Sequence, residues 1–337
     1  MMKLPPGKIP KDILEEVVFK NLGVRREEVV LGPQAGFDGA VIDVADKSLI
    51  VSMDPITGAL ERIGWLAVNV NANDIATFGV EPAFLLSCVM LPENSGKETV
   101  ETISRQMNQA AQALGIAIVG GHCEMTPGIA NPIVVGCTIG VAERGKYVTA
   151  GGAKVGDKLI LTKSAGIEGT AILASDRKQQ LEKTLSPEML QNGTGFYNRI
   201  SVVRDALTAS KTGGVNAMHD PTEGGVAGGV HEMADAAKLG VRIHEERIKI
   251  ESETARICEF FQIDPLQLIS SGALLISAKP DFADFIIKNL EHESIPASLI
   301  GEFTENQQER TITDKAGKKH VLPKPLSDSL WSALSKK

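Results

Sequence analysis

Aromatic side chains are scarce in this 337-residue chain: two Trp, two Tyr and ten Phe amount to 4% of it. That argues against an aromatic-lined binding surface, whereas 33 glycines suit close helix–strand packing and tight turns. Cysteine is almost as rare, and Cys88, Cys123, Cys137 and Cys258 form no CxxC pair, which disfavours a structural zinc site. Cys88 and Cys137 fall in apolar runs and read as small core residues in a reducing compartment. No apolar stretch approaches the length that crosses a bilayer, and the start Met1–Gly7 lacks the apolar core of a signal peptide. A cytoplasmic protein without a membrane partner is expected. Basic charge is also missing: the formal net charge is −7, and the nearest thing to a basic run is Lys318-Lys319-His320. Nucleic acid is therefore not an expected partner. Neither a P-loop nor a G-x-G-x-x-G fingerprint occurs.

What is present reads as an α/β protein. The 43% hydrophobic and 23% charged residues exclude disorder, and the length suits two domains. Residues 40–44 and 48–52 read as strands joined by a turn, followed by a helix over 61–78 that stops at Gly79. A strand over 84–90 leads to a clearer helix, in which Val100, Ile103, Met107, Ala110 and Leu114 form one apolar stripe before Gly115. Strands over 116–119 and 132–142 come next, the latter apolar on both faces, as a central or interface strand would be. The Gly- and Lys-containing stretch 145–156 marks the expected boundary between domains 1–150 and 151–337. Beyond it, 158–162 and 273–277 read as strands, and a helix over 225–239 is stopped by Gly240. A last helix over 281–290 is capped by Asp281, with Phe282, Phe285, Ile286 and Leu290 inward.

Four acids are badly placed for a plain fold. Asp38 sits where a loop enters a strand, Asp54 at a strand terminus before Pro55, and Asp74 inside an apolar helix beside Asn69 and Asn73. Asp220 lies in His219-Asp220-Pro221-Thr222, just ahead of a helix. Acids so placed suit a hard, oxygen-liganded cation such as Mg²⁺ together with substrate phosphates, although a single Asp before Pro or Gly more often simply makes a turn. If buried, the polar groups of the Asp74 helix need partners. Two Gly-Gly segments, Gly120-Gly121-His122 after a strand and Thr222-Glu223-Gly224-Gly225 opening a helix, could let backbone N–H groups approach phosphate oxygens. His122 and Cys123, being adjacent on an extended segment, point oppositely and form no dyad. His219 beside Asp220 is the better polar candidate.

In this order, Gly36-Phe37-Asp38-Gly39-Ala40, Ser52-Met53-Asp54, Asn73-Asp74-Ile75-Ala76, Gly120-Gly121-His122, Asp220-Pro221-Thr222-Glu223-Gly224-Gly225 and Ser271-Gly272-Ala273-Leu274-Leu275 resemble the motifs of one family. That family contains aminoimidazole ribonucleotide synthetase and the hydrogenase-maturation protein HypE. The resemblance implies an N-terminal α/β domain whose strands pair with a second subunit's into a barrel, giving a homodimer, and a C-terminal α/β domain. It implies ATP in the cleft, Mg²⁺ on Asp38, Asp54, Asp74 and Asp220, and nucleotide contacts from Asn73, Gly120, Gly121, His122, Thr222, Gly224 and Gly225. Asp74, Asp220 and His219 are the expected catalytic residues. Relatives phosphorylate an amide or carboxamide oxygen, a selenide or thiamine monophosphate, so ATP-dependent activation of such an oxygen is expected; the rival reading is a nucleotide-binding scaffold without turnover. Phe37, Gly39 and Met53 depart from the family pattern. No C-terminal cysteine follows Leu330-Trp331-Ser332, so thiocarbamate carriage on the tail is not expected, and Cys258 falls in an apparently helical run.

Overall fold

The computed structural model describes residue 4, residues 6–57 and residues 61–336. After a short helix α1 (Lys11–Glu16), a six-stranded sheet forms from β1 (Val29–Leu31), β2 (Ala40–Val44), β3 (Lys47–Ile56), β4 (Pro82–Leu91), β5 (Ala117–Met125) and β6 (Ile133–Glu143). Its order is β1-β2-β3-β6-β4-β5. Only β4 and β5 run parallel, joined through α3 (Lys97–Leu114), and all other neighbours are antiparallel. The stripe expected for α3 is the one it buries, through Ile103, Met107 and Ala110, and Gly115 ends it in the left-handed conformation.

Helix α2 (Ile63–Ala76) lies against this sheet, and all its residues except Trp65 are buried. A helix buried all round must be apolar all round or have its polar groups answered. It approaches β6 closely because Gly136 and Gly140 face it. A Cβ on Gly136 would stand 2.6 Å from Asn71 Nδ2, and one on Gly140 2.5 Å from Ile75. The opposite face of the sheet is open and apolar. Its registers run Phe84–Ile139–Val51 and Leu86–Cys137–Met53, with Phe84, Leu86 and Met53 exposed. Cys88 and Cys137 are half-buried there, not in the core where the sequence reading put them.

A seven-stranded sheet follows, from β7 (Lys158–Thr162), β8 (Val215–His219), β9 (Gly240–His244), β10 (Leu275–Ala278), β11 (Ala297–Thr304), β12 (Arg310–Thr313) and β13 (Lys319–Val321). Its order is β13-β12-β9-β11-β7-β10-β8, with β12 and β9 parallel. The helices of this half are α4 (Ile167–Asp176), α5 (Lys178–Leu181), α6 (Pro187–Gly195), α7 (Val203–Thr212), α8 (Gly225–Ala237), α9 (Ser252–Phe261), α10 (Pro280–His292) and α11 (Ser329–Ser335). Side chains from both halves share one hydrophobic core.

Several local expectations are corrected. Lys238, in the left-handed conformation, ends α8, and Gly240 belongs to β9. Asp281 lies in the first turn of α10 without capping it, because Pro280 already occupies the first helical position. Ala283, Ile286 and Leu290 face inward on α10, whereas Phe285 is 62% exposed. Cys258 lies buried in α9, as its helical run predicts, and burial pushes its thiol up to about 12.

Candidate active site

Strand β3 continues through Asp54 to Ile56 in register with β6, so Asp54 lies within a strand and not at its end. Pairing with β2 stops at Val51, so Pro55 needs no ladder bond on that side. Asn71 of α2 pins the strand here. It accepts from the Asp54 backbone N–H at 2.8 Å and donates to the Asp54 carbonyl at 3.1 Å. One strand-face step away, Ser52 Oγ donates to Asp74 Oδ2 at 2.7 Å.

From the other half, β8 delivers His219, and Asp220 begins the turn into α8. His219 is nearly sealed from solvent, with Nδ1 2.6 Å from Asp38 Oδ1 and Nε2 2.9 Å from Glu232 Oε2. Burial disfavours the imidazolium, but a carboxylate on each nitrogen outweighs it and raises the pKa well above the ordinary value. Both ring nitrogens thus donate, and His219 positions Asp38 without being free to ligate a metal. The Asp38 Oδ2 atom and both carboxylate oxygens of Asp220 are buried without a hydrogen-bond partner. Ligand atoms of Asp38, His219 and Asp220 lie within 4.8 Å of one another.

The four acids do converge. Burial raises the pKa of Asp74 well above normal, and the charges of Asp54, Asp220 and Asp38 add to it. Burial pushes Asp220 up to about 8, with Asp38 the next cause. Burial also raises Asp54, partly offset by Lys8. Buried, unpartnered oxygens crowded by like charge are what a divalent cation relieves, and an all-oxygen donor set suits Mg²⁺. The residues present fit that ion.

Other sequence candidates are placed differently. Asn73 donates to the Ile200 carbonyl at 2.9 Å and accepts from the Val202 N–H at 2.8 Å, so its amide ties α2 to the second half instead of facing a ligand. Asn69 donates to the Trp65 carbonyl. Gly224 and Gly225 open α8 with φ of 85° and 61°, as expected of a tight turn. Their N–H groups, however, are taken by Asp328 Oδ2 and the Thr222 carbonyl. Gly120, Gly121 and His122 lie within β5, which runs past the expected end at Val119. Gly121 passes so close to Ser87 that a Cβ would be 1.9 Å from its carbonyl oxygen. These three line a separate cavity with Val100, Ser104 and Met107, which none of the four acids lines. His122 pairs with Glu124 at 3.2 Å.

Beside the acids opens a cavity of about 710 Å³, walled by Asp54, Glu223, Gly224, Glu232 and Asp328. Two segments the sequence reading passed over complete it, 6–19 near the N-terminus and 324–328 near the C-terminus. Glu232 is held down at about 2, since Lys8 and His219 outweigh its burial. Glu168, in the first turn of α4, is buried, and burial raises it to about 7. No periodicity marks these residues; only the fold brings them together.

Comparison with known proteins agrees with this architecture. The profile of the AIR synthase related protein N-terminal domain matches residues 36–142, and that of the C-terminal domain residues 154–314. The chain belongs to the AIR synthase related family. A putative hydrogenase expression/formation protein of Methanocaldococcus jannaschii is 27% identical over 333 residues, covering 96% of each chain. Carbamoyl dehydratase HypE of Escherichia coli is 28% identical over 282 residues, 82% of this chain and 81% of the other. The crystal structure of hydrogenase maturation protein HypE in complex with ATP superposes with a TM-score of 0.74 at 20% identity, covering 98% of each. Among the described residues, no helix is long and apolar enough to cross a membrane.

Proposed function

We propose that this chain binds Mg-ATP in the acid-lined cavity and transfers its terminal phosphoryl group to an oxygen of an amide or carboxamide substrate. The observation that carries the reading is the pair of half-buried Asp38 and buried Asp220, close together and left with three buried, unpartnered carboxylate oxygens. Asp38 Oδ2 and Asp220 would hold Mg²⁺, with Asp54 and Asp74 alongside. Bound there, the ion neutralises phosphate charge as it develops in the transfer. The protein's own part is positioning: His219 and Glu232 fix Asp38, Ser52 fixes Asp74, and Asn71 fixes the strand that bears Asp54. Phosphorylation turns a poor oxygen leaving group into a good one, which fits the name carbamoyl dehydratase carried by relatives. The test is turnover of ATP by the purified chain across a panel of carboxamides, read as released ADP and phosphate. Binding of Mg-ATP with no stimulation by any substrate would favour a scaffold.

The open apolar face of the first sheet supports a homodimer, because contiguous exposed hydrophobic surface of this kind marks an interface. Residues 1–150 and 151–337 are read as the two domains, with the phosphate-handling residues divided between them.

A further inference from the structure

We propose that a cavity beside α7, separate from the acid-lined one, is a second ligand site and takes a small organic dianion. It has a volume of about 1030 Å³ and is walled by α7, the end of α10, residues 198–201 and residues 293–296. No residue lines both it and the cavity of the acids. The chain as a whole is acidic, with 42 Asp and Glu against 35 Lys and Arg. This wall nevertheless carries Lys163, Arg199, Arg204, Lys211 and Lys249 against Asp205, Glu251 and Glu293. The ion pairs locate the excess. Lys163 lies 3.1 Å from Asp205 Oδ1, and Arg204 is paired with Glu293. Arg199 and Lys249 share a single oxygen, Glu251 Oε1, at 3.1 and 3.0 Å. Lys211 has no ion pair among the described residues. Two positive charges are left without a counter-charge.

The floor of this cavity is built from fixed groups. Lys163 is nine-tenths buried, and its backbone is left-handed with a φ of 56°, which a residue other than glycine keeps only where its surroundings hold it. Its N–H donates to the Pro296 carbonyl at 2.6 Å, and its ammonium donates to the carbonyls of Ser201 at 2.7 Å and Arg199 at 3.3 Å. Lys163 thereby ties two walls of the cavity together. Arg199 is fixed again by its side chain, which stacks on Phe196 at 4.6 Å and donates through Nη2 to Ser164 Oγ at 3.2 Å and to Glu251. Its Nε and Nη1 take no partner among the described residues. A concave site with an excess of one sign of charge concentrates ions of the other. A guanidinium beside ammonium groups suits the oxygens of a phosphate or a carboxylate. Leu114, Leu207, Ile295 and Pro296 line the same cavity, so the ligand that fits has an apolar body as well as two charges.

If these cations serve only to hold α7, α10 and the 198–201 segment together, no anion gathers here. The full-length chain is titrated calorimetrically in EDTA with phenyl phosphate, succinate and inorganic phosphate, and with benzyl alcohol as the uncharged control. Without a divalent cation the acid-lined cavity repels dianions, so the result does not depend on the Mg-ATP reading. On the proposal, phenyl phosphate or succinate binds more tightly than inorganic phosphate, and rising NaCl weakens the binding. Whichever of the two binds better assigns the site to phosphate or to carboxylate chemistry. Lys211→Glu weakens that binding about tenfold or more, and Lys249→Gln about tenfold, the effect of losing one charge-assisted hydrogen bond. In acetylation followed by mass spectrometry, the bound dianion protects Lys211 and Lys249 while Lys315, exposed between β12 and β13, reacts as before. The proposal is overturned if none of the three anions binds at millimolar concentration, if both variants bind as the wild type does, or if benzyl alcohol binds as tightly. Lys211 and Lys249 are exposed, and unchanged melting temperatures show the variants folded. Should Lys211→Glu unfold, Lys249→Gln and the protection pattern still decide.

Discussion

Asp220→Asn should stabilise the cation-free protein, and increasingly so as pH rises. Asp220 titrates at about 8 in the fold, against 3.8 for the unperturbed group. A carboxyl whose folded pKa is raised keeps a proton that the unfolded chain has already released. Its contribution therefore falls from about pH 4 upward and levels off above about pH 8. Each pH unit in that window is worth about 1.4 kcal/mol, so the variant's advantage should grow by about 3 kcal/mol between about pH 5 and pH 7. The two carboxylates that hold His219 charged also make stability fall with rising pH in both proteins, and the attraction between His219 and Asp220 is already counted in the value of about 8. The assay is urea unfolding in EDTA at several pH values, wild type against variant. With saturating Mg²⁺ the order reverses, because only the wild type keeps both ligands, and metal uptake near neutral pH releases a proton from the site. Parallel stability curves in EDTA, with a difference that does not move with pH, would refute the reasoning.

Mg-ATP at a hundredfold its dissociation constant should raise wild-type stability by about 2.7 kcal/mol, and Asp74→Asn should remove most of that gain in a thermal melt. Asn73→Ala leaves the Ile200 carbonyl and Val202 N–H without partners, so it should cost about 2–4 kcal/mol in denaturant unfolding with no specific loss of nucleotide affinity. Light scattering at micromolar concentration should report a dimer, and Leu86→Glu, which puts a charge on the open sheet face, should report a monomer. A wild-type monomer would remove the dimer from the picture.

Three of the acids stand out in the sequence because each interrupts a pattern: Asp74 an apolar helix, Asp38 and Asp220 the joints between loop and element. Helix α3 was equally legible, since its stripe and Gly115 are local signals that tertiary structure had no reason to override. The errors came where pairing partners lie far along the chain. Asp54-Pro55 reads locally as a turn, yet register with β6 carries β3 through it and Asn71 holds it there. Gly120-Gly121 also reads as a turn, yet the backbone stays extended and presses against Ser87. Glu232 carries no local signal in the sequence, and only the fold sets it against His219. Lys8 sits in a Pro-rich segment with no periodicity, and its partner Thr222 is 214 residues away. Asn73 was singled out for the right physical reason, a buried amide in need of partners, but a backbone segment satisfies it and not a ligand.

Helix α2 is also a mechanical joint. Its flank carrying Asn71 holds β3, its flank carrying Asn73 holds the 200–202 segment, and Trp65 donates to the carbonyl of Tyr197. A hinge between the halves would have to break the bonds of Asn73 to Ile200 and Val202 and of Trp65 to Tyr197, while Asp74 and Asp54 stay with Ser52 and Asn71 on one side of it. The two halves are therefore tied together at α2, and the cavity beside the acids is bordered by segments 6–19 and 324–328, which meet at Pro6 and Ser327. A ligand that needs more room than this cavity offers would have to part those terminal segments and not the two halves.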